Sequence, residues 1–187
     1  MNLNSWRPKL VVTCVVVTLA QVFLAATLGA ASDSKLSGDS TKPPACQAPE
    51  YKQFNFWVGD WDAFDVGGTV AVARLKVDPL LDGCALREQY KGADGHQGES
   101  LSIYDASRKV WHQTWVTNRG ELLVIEGGFK DGEMILTGAD RTADGRERRV
   151  RGVWKAEAEG VRETAVRSTD GGKTWKAWFD LIFRAHQ

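Results

Sequence analysis

The sequence predicts an all-β protein, built as one antiparallel up-and-down β-barrel of eight to ten strands. Segments of strand length are separated by Asp-Gly, Asn-x-Gly and Asp-Gly-Gly turns, which supply the positive-φ positions that tight hairpins need. After the N-terminal segment, no window shows a sustained helical period. Because hairpins rather than long crossovers connect the segments, closure into a barrel is favoured over the alternative, a two-sheet sandwich.

Ten segments are expected to form strands, after a short helical turn around residues 51–56. The last segment alternates most clearly, since Lys176, Asp180 and Arg184 fall between apolar side chains. The apolar face of that segment carries Trp175, Ala177, Phe179, Leu181 and Phe183. The ten expected strands cover residues 57–66, 69–77, 83–91, 98–105, 109–117, 121–128, 133–139, 147–156, 160–168 and 174–184.

Residues 1–31 are predicted to be a signal peptide. Arg7 and Lys9 carry the only charges of this segment, an apolar run covers residues 10–28, and small residues follow where a signal peptidase could cut. The protein is therefore expected to be exported, and to be periplasmic or secreted. The apolar run also approaches the roughly 20 residues of a membrane-spanning helix. An uncleaved inner-membrane anchor over residues 10–30 is the alternative.

Residues 32–50 are rich in Ser, Thr, Lys, Pro and Gly, which predicts a flexible linker. Residues 51–187 are then expected to form the barrel domain, a length that suits a single core. The chain has 24 basic and 24 acidic residues, and loss of Arg7 and Lys9 with the leader leaves a net charge of −2. This balance argues against a nucleic-acid partner. The barrel domain is not expected to insert into a membrane unless the leader is retained.

Two cysteines remain once the leader, which contains Cys14, is set aside. An even pair in an oxidising compartment predicts a disulfide, here between Cys46 and Cys84. Such a bond would tie the arm before the first strand to the third strand. Two free thiols are the alternative.

The segment around residues 109–116 contains the densest group of candidate ligand-binding residues. Strand alternation places Trp111, Gln113 and Trp115 on one face and His112 on the other. A histidine beside tryptophans in a barrel could anchor a polar group, act as an acid or base, or ligate haem iron. A hydrogen-bonded strand histidine is the alternative, because the pattern does not fix which face meets the lumen.

A second group of ligand-binding candidates lies in the third predicted strand. Glu88 shares a face with Leu86 and Tyr90, whereas Arg87 lies on the opposite face. A carboxylate inside an apolar barrel needs a partner or a raised pKa, and a surface charge ladder is the alternative. Trp57 is the remaining candidate: it is one of seven tryptophans after the leader, a density that suits either an aromatic cavity or a filled core.

Signatures of metal binding and catalysis are weak. The three histidines are scattered and no C-x-x-C spacing occurs, so neither a metal site nor a catalytic residue is assigned. No cofactor is expected, with haem on His112 as the alternative. His96 lies in a glycine-containing turn and is expected to be exposed to solvent. The segment 168–175 matches the Asp-box pattern S-x-D-x-G-x-T-W, whose role is to build a hairpin turn.

Taken together, several segments resemble a bacterial family of exported proteins that is catalogued as a domain of unknown function. This family has no established activity, so the resemblance implies no catalytic residue. It covers about 51–184 and supports export and a single domain. The segments that carry it are residues 54–62, 82–88, 98–105, 111–116 and 168–175.

The pair Gly59-x-Trp61 also resembles the first strand of lipocalin-like (calycin) barrels. In that family the tryptophan plugs one end of the barrel, and an arginine of the last strand packs across it. Arg184 is the matching arginine here, so the resemblance implies barrel closure by Trp61 and Arg184 through a cation–π contact.

Four functions are compatible with these patterns. The favoured hypothesis is a barrel that binds a small apolar ligand in its lumen. The first alternative is a structural or interaction protein of the cell envelope, with a filled core and an exposed apolar patch. The others are a barrel enzyme that uses His112 with Glu88, and a haem binder that uses His112.

Overall fold

The computed structural model describes residues 45–142 and 144–187, and it contains one closed barrel of antiparallel strands. Most strands follow the period-2 alternation of the sequence and end at a glycine-containing turn, whereas the turn between β4 and β5, residues 106–109, contains no glycine. The ten strands are β1 (Gly59–Asp65), β2 (Ala71–Leu80), β3 (Ala85–Gly92), β4 (Gln97–Asp105), β5 (Val110–Thr117), β6 (Leu122–Lys130), β7 (Glu133–Arg141), β8 (Glu147–Glu157), β9 (Gly160–Ser168) and β10 (Lys176–Ala185).

Each strand pairs with its neighbours in sequence, and β1 also pairs with β10. The closing register sets Trp61 opposite Ala185 and Asp65 opposite Leu181. All ten strands thus form a single closed sheet without a free edge. The predicted up-and-down barrel is confirmed, and the two-sheet sandwich is wrong.

The segment before β1 fills one end of the barrel, which we call the closed end: β1 begins there and β10 ends there. It forms two short 3-10 helices, Pro49–Lys52 and Asn55–Trp57, in the region where a helical turn was expected. Phe54 is fully buried and stacks on Trp57 at 4.9 Å between ring centroids. It also meets Trp111 edge-on at 5.7 Å. The segment therefore provides an aromatic plug.

A disulfide fastens the plug to the barrel wall. Cys46 and Cys84 are bonded, with their Cα atoms 5.0 Å apart and 38 positions separating them in sequence. The third 3-10 helix, Leu81–Gly83, places Cys84 directly before β3. The predicted pairing of the two cysteines is confirmed.

Trp61 lies at the closed end and depends on a glycine. A Cβ on Gly59 would come within 2.5 Å of the Trp61 ring, so only glycine leaves space for the indole. The indole Nε1 donates to the Trp57 backbone oxygen at 3.0 Å, which joins β1 to the plug. The expected contact of Arg184 with Trp61 needs correction, because the Arg184 guanidinium lies over Phe64 at 4.7 Å and bonds Glu159. Side chains of odd and even positions project to opposite faces, and Arg184 pairs with Asp62 rather than with Trp61.

The alternation of the last strand also differs from the prediction at its start. Trp175 precedes β10, and an irregularity between Ala177 and Phe179 shifts the register against β9. Ala177 is consequently exposed, whereas Phe179, Leu181 and Phe183 face inward as predicted. A bulge of this kind cannot be read from an alternating apolar pattern alone.

The predicted signal peptide and most of the predicted linker lie outside the described residues. Residues 45–50, the end of that linker, contain the disulfide-bonded Cys46 and the first turn of helix Pro49–Lys52.

Among the described residues, no helix has both the length and the apolar character needed to cross a membrane.

Candidate functional site: a cavity in the open half of the lumen

The barrel interior contains a cavity of about 340 Å³. The cavity lies between the plug and the open end, the end at which β1 finishes and β10 begins. It reaches the barrel mouth, since the 42% exposed Trp178 belongs to its wall. Its volume falls near the lower limit for small-molecule sites in proteins. Its walls are mainly aliphatic and aromatic, with contributions from Val72, Tyr90, Trp115, Leu123, Ile125, Val150, Trp154, Ala165, Phe179, Leu181 and Phe183.

One polar group of the cavity wall is the carboxyl of Glu88. This side chain is only 7% exposed, and its Oε2 accepts a hydrogen bond from Ser100 Oγ at 2.9 Å. The register of β3 against β4 sets these two residues directly opposite each other, which is why they meet. Burial raises the pKa of Glu88 to about 7, and the Ser100 hydrogen bond opposes part of that increase. Glu88 is thus held near its point of half-ionisation at neutral pH.

A second carboxyl, that of Glu163 on β9, lines the same cavity. Its neighbours across the strands are Trp154 and Leu181, which are both cavity residues. Burial raises the pKa of Glu163 well above its ordinary value, and the charge of Glu88 raises it further. Glu163 keeps partial exposure, which is consistent with a side chain that borders the cavity space.

Trp154 presents an unpaired donor beside Glu163. The residue is 3% exposed, and its Nε1 is buried without a hydrogen bond of normal geometry. The indole N–H is nevertheless close enough to favour the ionised form of Glu163. A buried donor without a well-aligned acceptor is costly in free energy. The cavity therefore has a free donor next to an acid.

Gln113 adds an amide to the cavity wall. It is buried, and its Nε2 donates to Ser102 Oγ at 3.0 Å because β4 and β5 place the two residues in register. This bond fixes the amide against the wall. Strand β4 thus orients the inward polar side chains of both neighbouring strands, since Ser100 bonds Glu88 of β3 and Ser102 bonds Gln113 of β5.

Aromatic rings gather near the open end. Tyr90, His96 and Trp115 contact one another edge-on, with centroid distances of 5.8 to 6.4 Å. A Cβ on Gly98 would approach the Trp115 ring to 2.3 Å, so this glycine is required for the ring position. The expectation that His96 is exposed is wrong: its β3–β4 hairpin folds over the mouth, and the ring lines the cavity. His96 Nε2 is buried without a hydrogen bond and lies 3.6 Å from Glu121 Oε2, which is beyond hydrogen-bond range.

The structure places three of the seven predicted ligand-binding residues in the cavity wall: Glu88, Gln113 and Trp115. Trp57 and Trp111 are buried near the closed end of the barrel, where they pack in the plug. Trp111 Nε1 donates to Gln53 Oε1 at 3.1 Å, so its polar atom is engaged there. The interior thus contains both a filled aromatic core and an aromatic cavity.

His112 lies on the outer surface of the barrel, and its predicted role in the lumen needs correction. Its Nδ1 is 2.8 Å from Glu126 Oε1, and its Nε2 is 2.9 Å from Thr114 Oγ1. Arg108 and His112 hold the pKa of Glu126 at about 2. Because Glu88 faces inward, His112 cannot act with it, and the lumen offers no His112 nitrogen to haem iron. The physical reason is the side-chain alternation of β5, which turns His112 outward once Trp111 and Gln113 face inward.

Arg87 also lies on the outer face, where it is 3.9 Å from Asp78 Oδ2. The neighbouring residue Glu88 faces the lumen, and strand alternation therefore turns Arg87 outward. Arg87 is therefore part of the surface charge pattern rather than of the cavity.

The Asp-box segment is a turn, as predicted. Asp170 accepts hydrogen bonds from the backbone N–H groups of Lys173 and Thr174, and its pKa is lowered by these and by the Thr174 hydroxyl. Gly171 and Gly172 take positive φ values of 77° and 93°. Trp175 donates to the Gly172 oxygen at 3.1 Å. The motif connects β9 to β10 and contributes no side chain to the cavity.

Among the cavity-lining side chains of the described residues, the ionisable groups are acidic apart from His96: they include Asp65, Glu88 and Glu163, and none is Lys or Arg. At the mouth, a neighbouring groove mixes both signs. It contains Arg141, Arg148 and Arg167 together with Glu121, Asp140 and Glu147. Acidic side chains therefore predominate among the ionisable groups of the interior, whereas the rim carries both acidic and basic ones.

The described residues contain no group of three or more His, Cys, Asp or Glu side chains arranged to hold a metal ion.

The fold and this cavity define the class of the protein: an up-and-down barrel of ten strands, plugged at one end and hollow in its other half. No protein-family model matches the chain, and a search of the curated proteins finds no match.

Proposed function

We propose that this protein binds a small, largely apolar molecule in the open half of its lumen. The observation that carries the proposal is the cavity of about 340 Å³, whose wall is aromatic and aliphatic and which reaches the barrel mouth. A closed barrel of this width either fills its interior with side chains or keeps space for a ligand. Here the plug fills only one half.

The construction of the cavity wall supports the proposal. Gly98 and Gly152 lack the Cβ atoms that would press on Trp115 and Trp154, so the two indoles lie against the wall. Hydrogen bonds from Ser100 and to Ser102 hold Glu88 and Gln113 in place before a ligand arrives. A wall that is ordered in advance lowers the entropic cost of binding.

The proposal includes export to the periplasm or the medium. It is supported by the leader sequence of residues 1–31 and by the Cys46–Cys84 disulfide, a bond that persists in oxidising compartments.

An interaction role is the second candidate, and one surface favours it. The outer faces of β4, β5 and β6 carry exposed aliphatic side chains in neighbouring registers. They are Leu101, Ile103, Val116, Leu122 and Val124. Such a patch is typical of a contact surface, but the interior is not the solid core expected of a purely structural barrel.

The test is titration of the protein with N-phenyl-1-naphthylamine, an apolar fluorescent probe that is uncharged at neutral pH. We expect saturable binding with blue-shifted emission, and a loss of affinity of about tenfold or more in Ala165→Leu, whose added methyl groups enter the cavity. Ala139→Leu makes the same change at an exposed position of β7 and should bind as the wild type does. Absence of saturable binding, or equal binding by all three proteins, would overturn the proposal.

A further inference from the structure

We propose that the natural ligand carries a protonated amine on an apolar skeleton, and that Glu163 and Glu88 bind this cationic group inside the lumen. This inference rests on the proposed function and specifies its ligand class. It begins from the two carboxyls, because a barrel that bound only hydrocarbon would have no use for them at these positions.

The first argument is charge balance. Glu88 and Glu163 lie in an apolar cavity whose described lining contains no Lys or Arg to neutralise them. A buried carboxylate without a counter-ion is strongly disfavoured, whereas one that pairs with a cation is not. An entering ammonium group would supply the missing countercharge.

The second argument is unused hydrogen-bonding capacity. The only side-chain hydrogen bond that Glu88 makes within the described residues reaches Oε2, which leaves Oε1 without such a partner. Within the same part of the chain, the indole N–H of Trp154 lies close to Glu163 without forming a well-aligned hydrogen bond, and Trp154 Nε1 has no other partner. An ammonium group has three donors and no acceptor. It can therefore satisfy carboxylate oxygens that the protein leaves free.

The third argument is the aromatic surroundings. Tyr90, Trp115 and Trp154 line the cavity together with both carboxyls. Aromatic faces attract cations, and the attraction increases when water is excluded. The combination of acids with aromatic rings favours a cationic group over a neutral or anionic one.

The charged side chains at the barrel mouth do not exclude a cation from the lumen. At the mouth, Arg148 and Arg167 are both paired with Asp140, at 2.6 and 3.0 Å. The Arg167 guanidinium also lies over the Trp178 ring at 3.0 Å. The arginines are thus held at the rim and do not line the cavity itself.

The decisive experiment compares three probes with one skeleton and different head groups: 4-phenylbutylamine, 4-phenylbutan-1-ol and 4-phenylbutanoate. Affinities are measured by isothermal titration calorimetry on protein expressed from the full-length sequence. We expect the amine to bind about tenfold or more tightly than the alcohol, as a charge-assisted hydrogen bond implies, and the carboxylate to bind most weakly.

Variants localise the effect. Glu163→Gln keeps the shape of the side chain and should lower the amine affinity about tenfold while leaving the alcohol affinity nearly unchanged. Glu88→Gln should reduce amine binding in the same direction. Glu157→Gln is the matched control, since Glu157 is exposed at the end of β8 and outside the cavity. Retained alcohol binding in each variant shows that the barrel is folded.

The pH dependence provides an independent readout. Affinity for the amine should increase as the pH rises through about 7, because Glu88 ionises while an alkylammonium with a pKa near 10 stays protonated. The other ionisable groups of the cavity are Asp65 of β1, Tyr90 of β3 and His96 of the β3–β4 hairpin. Loss of this pH dependence in the carboxyl variants assigns it to the two glutamates.

The outcomes distinguish the two proposals. Equal affinity for amine and alcohol, tighter binding of the carboxylate, or an amine preference that survives Glu163→Gln overturns the cationic ligand while lumen binding stands. Failure of all three probes, together with failure of N-phenyl-1-naphthylamine, overturns the proposed function and this inference with it.

Discussion

At the closed end of the barrel, Phe54, Trp57 and Trp111 pack without free space, whereas in the open half Tyr90 and Trp115 border a cavity. Both halves use aromatic side chains, so composition does not explain the difference. What differs is the N-terminal segment, which enters only the closed end. Ten strands enclose more space than their own inward side chains fill, and the comparison shows that this chain fills half of it with a separate segment.

The two halves also differ in polarity. In the plug, the indole nitrogens of Trp61 and Trp111 have partners in the protein, whereas Trp57 Nε1 is buried without one. In the open half, the acidic side chains of Glu88 and Glu163 line the cavity, and Trp154 Nε1 is buried without a partner among the described residues. Full packing is typical of a region that stabilises a fold. Free polar groups beside a cavity are typical of a region that binds.

The largest effect is expected from a matched truncation in the two halves. Phe54→Ala removes a fully buried ring from the plug and should lower the free energy of unfolding by about 3–5 kcal/mol. Phe179→Ala removes a half-buried ring that already borders the cavity and should cost about 1–2 kcal/mol. Urea unfolding of both variants measures the difference. Equal losses would contradict the division into a packed and a hollow half.

The next effect concerns the bond that holds the plug. Replacing both Cys46 and Cys84 by alanine should lower the free energy of unfolding by about 3–4 kcal/mol, since the bond closes a loop of 38 positions. Affinity for an apolar probe in the open half should change by less than about twofold, because distant sites act independently. Thermal unfolding and probe titration measure the two quantities. A large loss of probe affinity would mean that the halves are coupled.

The smallest effect is expected in the pH dependence of the free energy of unfolding, because the pKa of Glu88 is raised. The folded-state pKa is about 7, above the ordinary value of 4.5. The contribution of neutral Glu88 to the free energy of unfolding is therefore complete below pH 4.5. It is lost as the pH rises through 7, because the unfolded chain ionises at a lower pH than the folded one. The change amounts to at most about 3 kcal/mol for a shift of this size.

The measurement is the free energy of unfolding of wild type minus that of Glu88→Gln, from pH 4 to pH 8. The subtraction removes the titration of surface acids such as Asp105, Asp170 and Glu126, whose pKa values are lowered. The difference should fall with increasing pH. A difference independent of pH would show that Glu88 is hydrated rather than buried.

Much of the fold could be predicted from the sequence, because turns and alternation are local properties. The glycine-containing turns located most strand ends, alternation supplied the rest, and the cysteine count identified the pair Cys46 and Cys84. The error in β10 has a local cause of another kind: the bulge between Ala177 and Phe179 changes the alternation without changing the composition.

The candidate site was predicted less well, because alternation separates two faces without telling which one faces inward. For β5 both faces carry apolar side chains, so His112 and Gln113 were equally plausible in the lumen. Glu163 did have a signal: it shares a face with Val161 and Ala165, opposite Arg162 and Thr164. The sequence contained no such signal for His96, because the position of its ring depends on how the β3–β4 hairpin folds over the barrel mouth. The free indole nitrogen of Trp154 also depends on three-dimensional packing.

The pairing of β1 with β10 has a consequence for how the chain matures. Strand β1 can pair with β2 early, but it finds its second partner only after β10 has been synthesised, so a nascent chain without β10 exposes the edges of both β1 and β9. Open edges recruit other strands, and pairings between distant segments form slowly. The unfinished chain therefore depends on protection from aggregation until its final residues are available. Truncation before β10 removes that closure, leaving an open sheet that associates with itself.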